Sequence, residues 1–242
     1  MTTTSDAVPP RHPARESRYR DAAELAGAVA DAIAARLRDA LALRAAASLV
    51  VPGGRTPGPI FDRLALSALD WPRVRIALSD ERWVAPGHAD SNETLVRERL
   101  LHGAAAAAAF TGLYRPTAAP EDAVRAVSAA LAVVPRPFDV VLLGMGEDGH
   151  VASLFPGQAA GSALQARVGP ACVAVAPAPG RGARLSLTLS ALTDARAILL
   201  VFQGGAKQAV YAAARARPAT PALPVSWLLH QDRAPIEVHF SP

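Results

Sequence analysis

The sequence has little lysine and less than a pair of cysteines. One lysine, Lys207, stands among 25 basic residues, so 24 of them are arginine. The single cysteine, Cys172, excludes an intrachain disulfide and fits a reducing compartment. It lies in "ACVAVAP" (171–177), which reads as a buried strand, so packing rather than catalysis is its expected role. There is no cysteine cluster and no His-Glu-x-x-His spacing, and no metal is expected. A Gly-x-Ser-x-Gly elbow is also missing, which disfavours covalent serine hydrolysis. No apolar run reaches the ~18 residues that span a bilayer. The polar, proline-bearing N-terminus has no apolar segment of the secretory kind. A cytoplasmic protein without membrane contact is the expectation. Aromatics make up only 5% of the chain and the net charge is a mild +4. No dense basic run with interleaved aromatics occurs, so nucleic acid is not an expected partner.

What is present is material for a core. The chain has 242 residues, of which 51% are hydrophobic and 19% charged, enough for one large α/β domain. Residues 1–17 read as a loose tail and 18–242 as the domain. Leu25, Val29, Ile33 and Leu37 recur at helical spacing within 20–44. Further helices are expected near 58–68, over 90–101 with Asp90 or Ser91 as N-cap, over 120–133 and over 205–216. Strand candidates are "SLVV" (48–51), "VRIALS" (74–79), "FDVVLL" (138–143), "CVAVA" (172–176), "RLSLTL" (184–189) and "AILLVF" (197–202). "VSWLL" (225–229) and "IEVHF" (236–240) read as strand or mixed, and six alanines (104–109) as helix continuation or linker. Strands alternate with helices and several are continuously apolar. That pattern predicts a single-domain, Rossmann-like α/β fold, its sheet mostly parallel with helices on both faces.

In such sheets ligands bind beyond the carboxyl ends of the strands. Four polar clusters fall at those ends. "PGGRTPG" (52–58) runs from strand to helix, where close backbone approach at the glycines, free N–H groups and the helix dipole favour an anion. Thr56 adds a hydroxyl and Arg55 a charge, although the stretch also reads as a plain Gly-Pro turn. "QGGAK" (203–207) repeats the layout and sets Lys207 in the first turn of a helix. A cation is mildly unfavourable there unless an anion shares that end. In "SDERWV" (79–84), Asp80 and Glu81 can orient Arg82 toward a carbonyl or phosphate oxygen. "GMGEDGH" (144–150) places His150, a base near neutral pH, beside two acids. Either Asp148 or Glu147 can fix its tautomer, and glycines 144, 146 and 149 allow a tight loop. His12, His88, His102, His230 and His239 fall in tail, loop or helix-end settings and read as structural or solvated. The residues alone point to an α/β enzyme acting on a small anion such as a sugar phosphate.

Taken together, "GGRTP" (53–57), "SDERWV", "DSNETLVRERLL" (90–101), "LLGMGEDGHVASLFPG" (142–157), "RLSLTLSAL" (184–192) and "GGAK" (204–207) resemble the 6-phosphogluconolactonase family, which is related to glucosamine-6-phosphate deaminases. They stand in the family's order and cover roughly residues 20–233. The resemblance implies a Rossmann-like fold and hydrolysis of 6-phospho-D-glucono-1,5-lactone, a small sugar-phosphate lactone, without metal or organic cofactor. It implies that His150 activates water, that Asp148 orients His150, and that Arg82, held by Asp80, lies near the substrate. Gly53, Gly54, Thr56 and Lys207 would cradle the phosphate, with Arg184 a further candidate, and Asn92 would shape the site. Two departures stand out. Pro52 and Arg55 replace a small residue and a serine common in the family, exchanging a hydroxyl donor for a cation. Val151 stands where threonine is common and is assigned packing only. The rival readings are a deaminase-type isomerase, against which "SLFPG" and "DERWV" weigh, and a non-catalytic sugar-phosphate sensor, for whose DNA-binding domain the N-terminal tail is too short. A monomer or weak dimer is expected.

Overall fold

Leu25, Val29, Ile33 and Leu37 are all fully buried along one face of α1 (Ala22–Leu43), each contributing about 1.5–3 kcal/mol by leaving water. Asp21 caps this helix, its Oδ1 accepting from Ala23 N and Glu24 N at 2.9 Å. These are features of a computed structural model that describes residues 14–157 and 170–242. Residues 1–13, which include His12 and most of the expected tail, lie outside the described residues.

The strands are β1 (Arg15–Arg18), β2 (Ala47–Val51), β3 (Val74–Leu78), β4 (Asp80–Arg82), β5 (Ala109–Thr111), β6 (Val140–Gly144), β7 (Cys172–Val175), β8 (Arg184–Leu187), β9 (Ile198–Gln203) and β10 (Ile236–Ser241). Among the described residues the remaining helices are α2 (Pro57–Ala65), α3 (Asn92–Arg99), α4 (Pro120–Leu131), α5 (Leu189–Leu192), α6 (Gly205–Ala216) and α7 (Pro224–Leu229). Seven strands form one sheet in the order β1-β10-β9-β6-β2-β3-β5, and every neighbouring pair is parallel. Every residue of β2 is buried, as are Val140–Leu143 of β6 and Ile198–Phe202 of β9. Successive strand residues point to opposite faces, so both faces of the sheet are covered there. The predicted α/β fold is the one observed. From β2 the chain crosses through α2 to β3 on one side; from β6 it continues to β9 on the other. The direction of winding reverses between β2 and β6. A crevice opens at that point, flanked by the loops that leave those two strands.

A second sheet is small and antiparallel, with the order β4-β8-β7. It corrects three expectations. Asp80–Arg82 are a strand rather than a loop, and the stretches at 172–176 and 184–189 belong beside them, not in the parallel sheet. Thr188 ends the third, accepting from Ala191 N at 3.2 Å to start α5. Ser91, not Asp90, caps α3, accepting from Thr94 N at 3.2 Å. "VSWLL" is helical, started by Pro224 in the first turn of α7. The alanine run is a 3-10 turn, Gly103–Ala107, leading into β5.

Residues 15–17, expected to be loose, are strand. Arg15–Ser17 pair with Glu237–His239 at the sheet edge. Glu16 accepts from Tyr211 Oη at 2.6 Å and from the Arg215 guanidinium. Tyr19 Oη lies 2.8 Å from Nδ1 of the buried His239. Cys172 is fully buried, and burial pushes its thiol up despite the hydroxyl of Ser128, so packing is its role. Among the described residues no helix is long and apolar enough to cross a membrane.

Candidate active site

The carboxyl ends of β2, β6 and β9, with β4 and β8 of the small sheet, enclose a cleft of about 190 Å³. Gly53, Gly54, Arg55, Thr56, Asp80, Arg82, Asn92, His150, Arg184 and Lys207 all line it. Asp148 sits behind His150. Residues as much as 154 positions apart in the sequence, such as Gly53 and Lys207, therefore share one wall system.

His150 leaves the loop after β6. Its Nδ1 lies 2.5 Å from Asp148 Oδ1, and the same oxygen accepts the His150 backbone N–H at 3.1 Å. Glu147 is exposed and makes neither contact, so Asp148 is the partner. Burial pushes the Asp148 carboxyl up, but the hydrogen bond and charge of His150 outweigh it, and the net position is below the ordinary carboxylate value. An ionised Asp148 takes the proton-bearing Nδ1 of the imidazole and leaves Nε2 with its lone pair. Gly146 permits the pair: a Cβ there would lie 2.1 Å from His150 Nδ1 and 2.6 Å from Asp148 Oδ1.

Arg82 and Arg184 stand opposite each other across β4 and β8. Like charges directly opposed on antiparallel strands repel. The Nε atoms of both are buried without a hydrogen-bond partner. Burial first, and the charge of Arg82 second, lower the Arg184 guanidinium from its ordinary value. Such a pair invites an oxyanion between them.

Asp80 does not grip Arg82, contrary to expectation. Its Oδ1 accepts from Ser79 Oγ at 2.9 Å and its Oδ2 from Ser153 Oγ at 2.6 Å. Its charge acts on Arg184, opposing the shift just described. Arg82 Nη1 instead donates to the carbonyl of Asp90 at 2.7 Å. Glu81 turns the other way, as alternation along a strand requires. It is fully buried and accepts from the N–H groups of Arg82 (2.8 Å), Asn92 (2.7 Å) and Glu93 (2.8 Å) and from Ser91 Oγ (3.1 Å). Burial pushes its carboxyl up against the pull of these donors. Glu81 thus fastens β4 to the start of α3 and so places Asn92, whose Nδ2 donates to the Asp80 carbonyl at 2.8 Å.

The loop after β2 approaches Asn92 so closely that a Cβ on Gly53 would fall 1.7 Å from its Oδ1. Gly54 has φ 97°, which favours glycine. The helix behind this loop supplies fewer donors than expected, because Pro57 and Pro59 have no N–H. The backbone donors are those of the loop itself and of Gly58. The Thr56 side chain makes no capping bond to α2. Arg55 is exposed at the rim. Lys207 enters from the first turn of α6, behind Gly204 with φ 92°. Val151 is fully buried, as assigned. His88, His102, His230 and His239 are not among the lining residues. Gly146 was expected to let the loop turn, whereas Ser153 and Ala152 were not singled out from the sequence. Ser153 and Ala152 follow His150 closely in the "HVASLFPG" stretch, which was the available signal. Among the described residues no three His, Cys, Asp or Glu side chains are grouped to hold a metal.

An α/β fold with a winding reversal, a carboxylate-backed histidine and a cationic wall in one cleft defines an enzyme of the small-anion class. The family model for glucosamine-6-phosphate isomerases/6-phosphogluconolactonase matches residues 20–236. The 6-phosphogluconolactonase of Pseudomonas aeruginosa is 42% identical over 225 residues, covering 93% of each chain. That of Rhizobium meliloti is 39% identical over 228 residues, covering 93% of this chain and 97% of the relative. The crystal structure of a 6-phosphogluconolactonase from Shewanella baltica superimposes with a TM-score of 0.91 at 37% identity, covering 95% of this chain and 98% of the other. The chain belongs to the glucosamine-6-phosphate isomerase/6-phosphogluconolactonase family, and these relatives place it among the family's hydrolases.

Proposed function

We propose that this protein hydrolyses 6-phospho-D-glucono-1,5-lactone to 6-phospho-D-gluconate, the second step of the oxidative pentose phosphate pathway, in the cytoplasm. The observation that carries this reading is the His150–Asp148 pair in the same cleft as Arg82, Arg184 and Lys207. A base beside a cluster of cations suits a neutral carbonyl carried on a phosphorylated body.

In this reading Gly53, Gly54, Arg55, Thr56, Arg184 and Lys207 hold the phosphate, and Asn92 meets sugar hydroxyls. His150 Nε2 takes a proton from water as the oxygen bonds to the lactone C1. Electrons move onto the carbonyl oxygen, where Arg82 meets the developing negative charge. The intermediate collapses by breaking the bond from C1 to the ring oxygen. That oxygen leaves with the proton held on His150, and the neutral base is restored. Asp148 stays ionised and balances the imidazolium between the two transfers. A lactone is an activated ester, so positioned water and a general base suffice, in keeping with the lack of a nucleophile elbow.

The test is hydrolysis of freshly generated lactone, coupled to 6-phosphogluconate dehydrogenase and compared with an enzyme-free blank, for wild type and His150→Asn. Acceleration lost in a folded variant is the expected result. Acceleration that survives discards His150 as base, and none by wild type discards the activity, with ammonia release from glucosamine 6-phosphate the next assay.

A further inference from the structure

Tethered through Cβ and hydrogen-bonded at Nδ1, the imidazole can still rock over the range of χ1 and χ2 that keeps the bond. Asp148 alone therefore does not aim Nε2. A second constraint comes from Phe155, five residues beyond His150. Its ring is 4% exposed and its centroid lies 4.4 Å from that of His150, with the planes 40° apart. The chain folds back to reach this position. Val151 and Leu154 form an antiparallel bridge, and Ala152 has φ 49°, the only positive φ at a non-glycine among the described residues. A left-handed alanine is uncommon and persists where its surroundings enforce it.

Phe155 is itself held. The guanidinium carbon of Arg181 lies 3.5 Å from the Phe155 centroid, and that of Arg184 lies 5.3 Å away. Arg181 stands on a turn closed by two backbone bonds with Ala178, of 2.9 and 2.8 Å. Its Nε is buried without a hydrogen-bond partner, so the aromatic ring is what seats this cation.

We propose that Phe155, backed by Arg181, is a positioning residue that sets the plane of the His150 imidazole and aims Nε2 into the cleft. The proposal rests on His150 being the base. Phe155→Leu keeps apolar bulk and loses the flat face, while Phe155→Tyr keeps the face. Expected for Phe155→Leu is a kcat lowered about tenfold with KM within about twofold. Phe155→Tyr stays within about twofold of wild type, and Arg181→Met loses kcat several-fold at unchanged KM. The second readout is the NMR signal of the His150 ring, expected sharp in wild type and broadened or split in a folded Phe155→Leu. A leucine variant with wild-type kcat, or with an unchanged ring signal, overturns the proposal. Full activity of His150→Asn alone removes the base, and the ring signal then still reports whether Phe155 places the imidazole.

Discussion

One oxygen of Asp148 binds His150 twice, at the ring Nδ1 and at the backbone N–H. The carboxylate thereby fixes both the tautomer of the imidazole and the turn that carries it. Asp148→Asn keeps the shape and loses the charge that, in the proposed mechanism, stabilises the imidazolium. Its kcat is expected to fall about 10²-fold or more, with KM little changed. Steady-state kinetics over the enzyme-free rate check this, and a kcat within threefold of wild type removes Asp148 from the mechanism.

The same bond has a pH signature. Burial raises the Asp148 carboxyl, but the bond and charge of His150 bring it below the ordinary value. A carboxyl lowered by folding stabilises the folded state above its unfolded pKa of about 3.9 and loses that contribution as pH falls through the folded value. The thermal stability of wild type relative to Asp148→Asn should therefore decline as pH drops below about 4. Melting curves across that range decide it: a wild-type advantage that grows on acidification has the wrong sign.

Arg82 and Arg184 face each other across β4 and β8, and the charge of Arg82 adds to burial in lowering Arg184; the proposed phosphate would relieve that pair. Inorganic phosphate should raise the melting temperature of wild type, and at a hundred times its Kd it adds about 2.7 kcal/mol. Arg184→Met should raise KM about tenfold or more and lose most of that phosphate-dependent gain. In phosphate-free buffer it should melt no lower than wild type, because Arg82 is relieved of its neighbour. A phosphate response that survives in Arg184→Met places the anion elsewhere.

Glu81 serves structure, not chemistry. Glu81→Ala leaves three backbone N–H groups and the Ser91 hydroxyl without their acceptor. The expected loss is about 3 kcal/mol or more, with a smaller loss for Glu81→Gln. Urea unfolding measures both. A Glu81→Ala protein as stable as wild type contradicts the fastening role.

Some of this was legible from the residues and some was not. The central strands announced themselves because strands buried on both faces are continuously apolar, as in "VVLL" of β6. The convergence of Gly53, Arg82, His150 and Lys207 followed from where ligands bind in such sheets. The small sheet was hidden because β7, "CVAV", is apolar in the same way; the polar–apolar alternation of β8, "RLSL", was the available signal, and its pairing with Asp80–Arg82 is what sets the sheet apart. Without knowing that 80–82 is a strand, nothing told Asp80 from Glu81, and the expected grip on the Arg82 side chain is not made. β1 was unreadable for a different reason. "RESR" has no apolar pattern, and what holds it in place lies at Tyr211, Arg215 and in β10.

That edge strand has a consequence for assembly in time. Among the described residues β1 pairs with β10 alone, whose residues are 236–241. During synthesis, Arg15–Arg18 must wait through more than two hundred further residues before a partner strand exists. The interior β2–β3–β6 portion can pair long before then. Arg15–Arg18 are thus made long before the strand that zips them into the sheet, and a chain halted before residue 236 leaves them, and the exposed side of β9, without that neighbour.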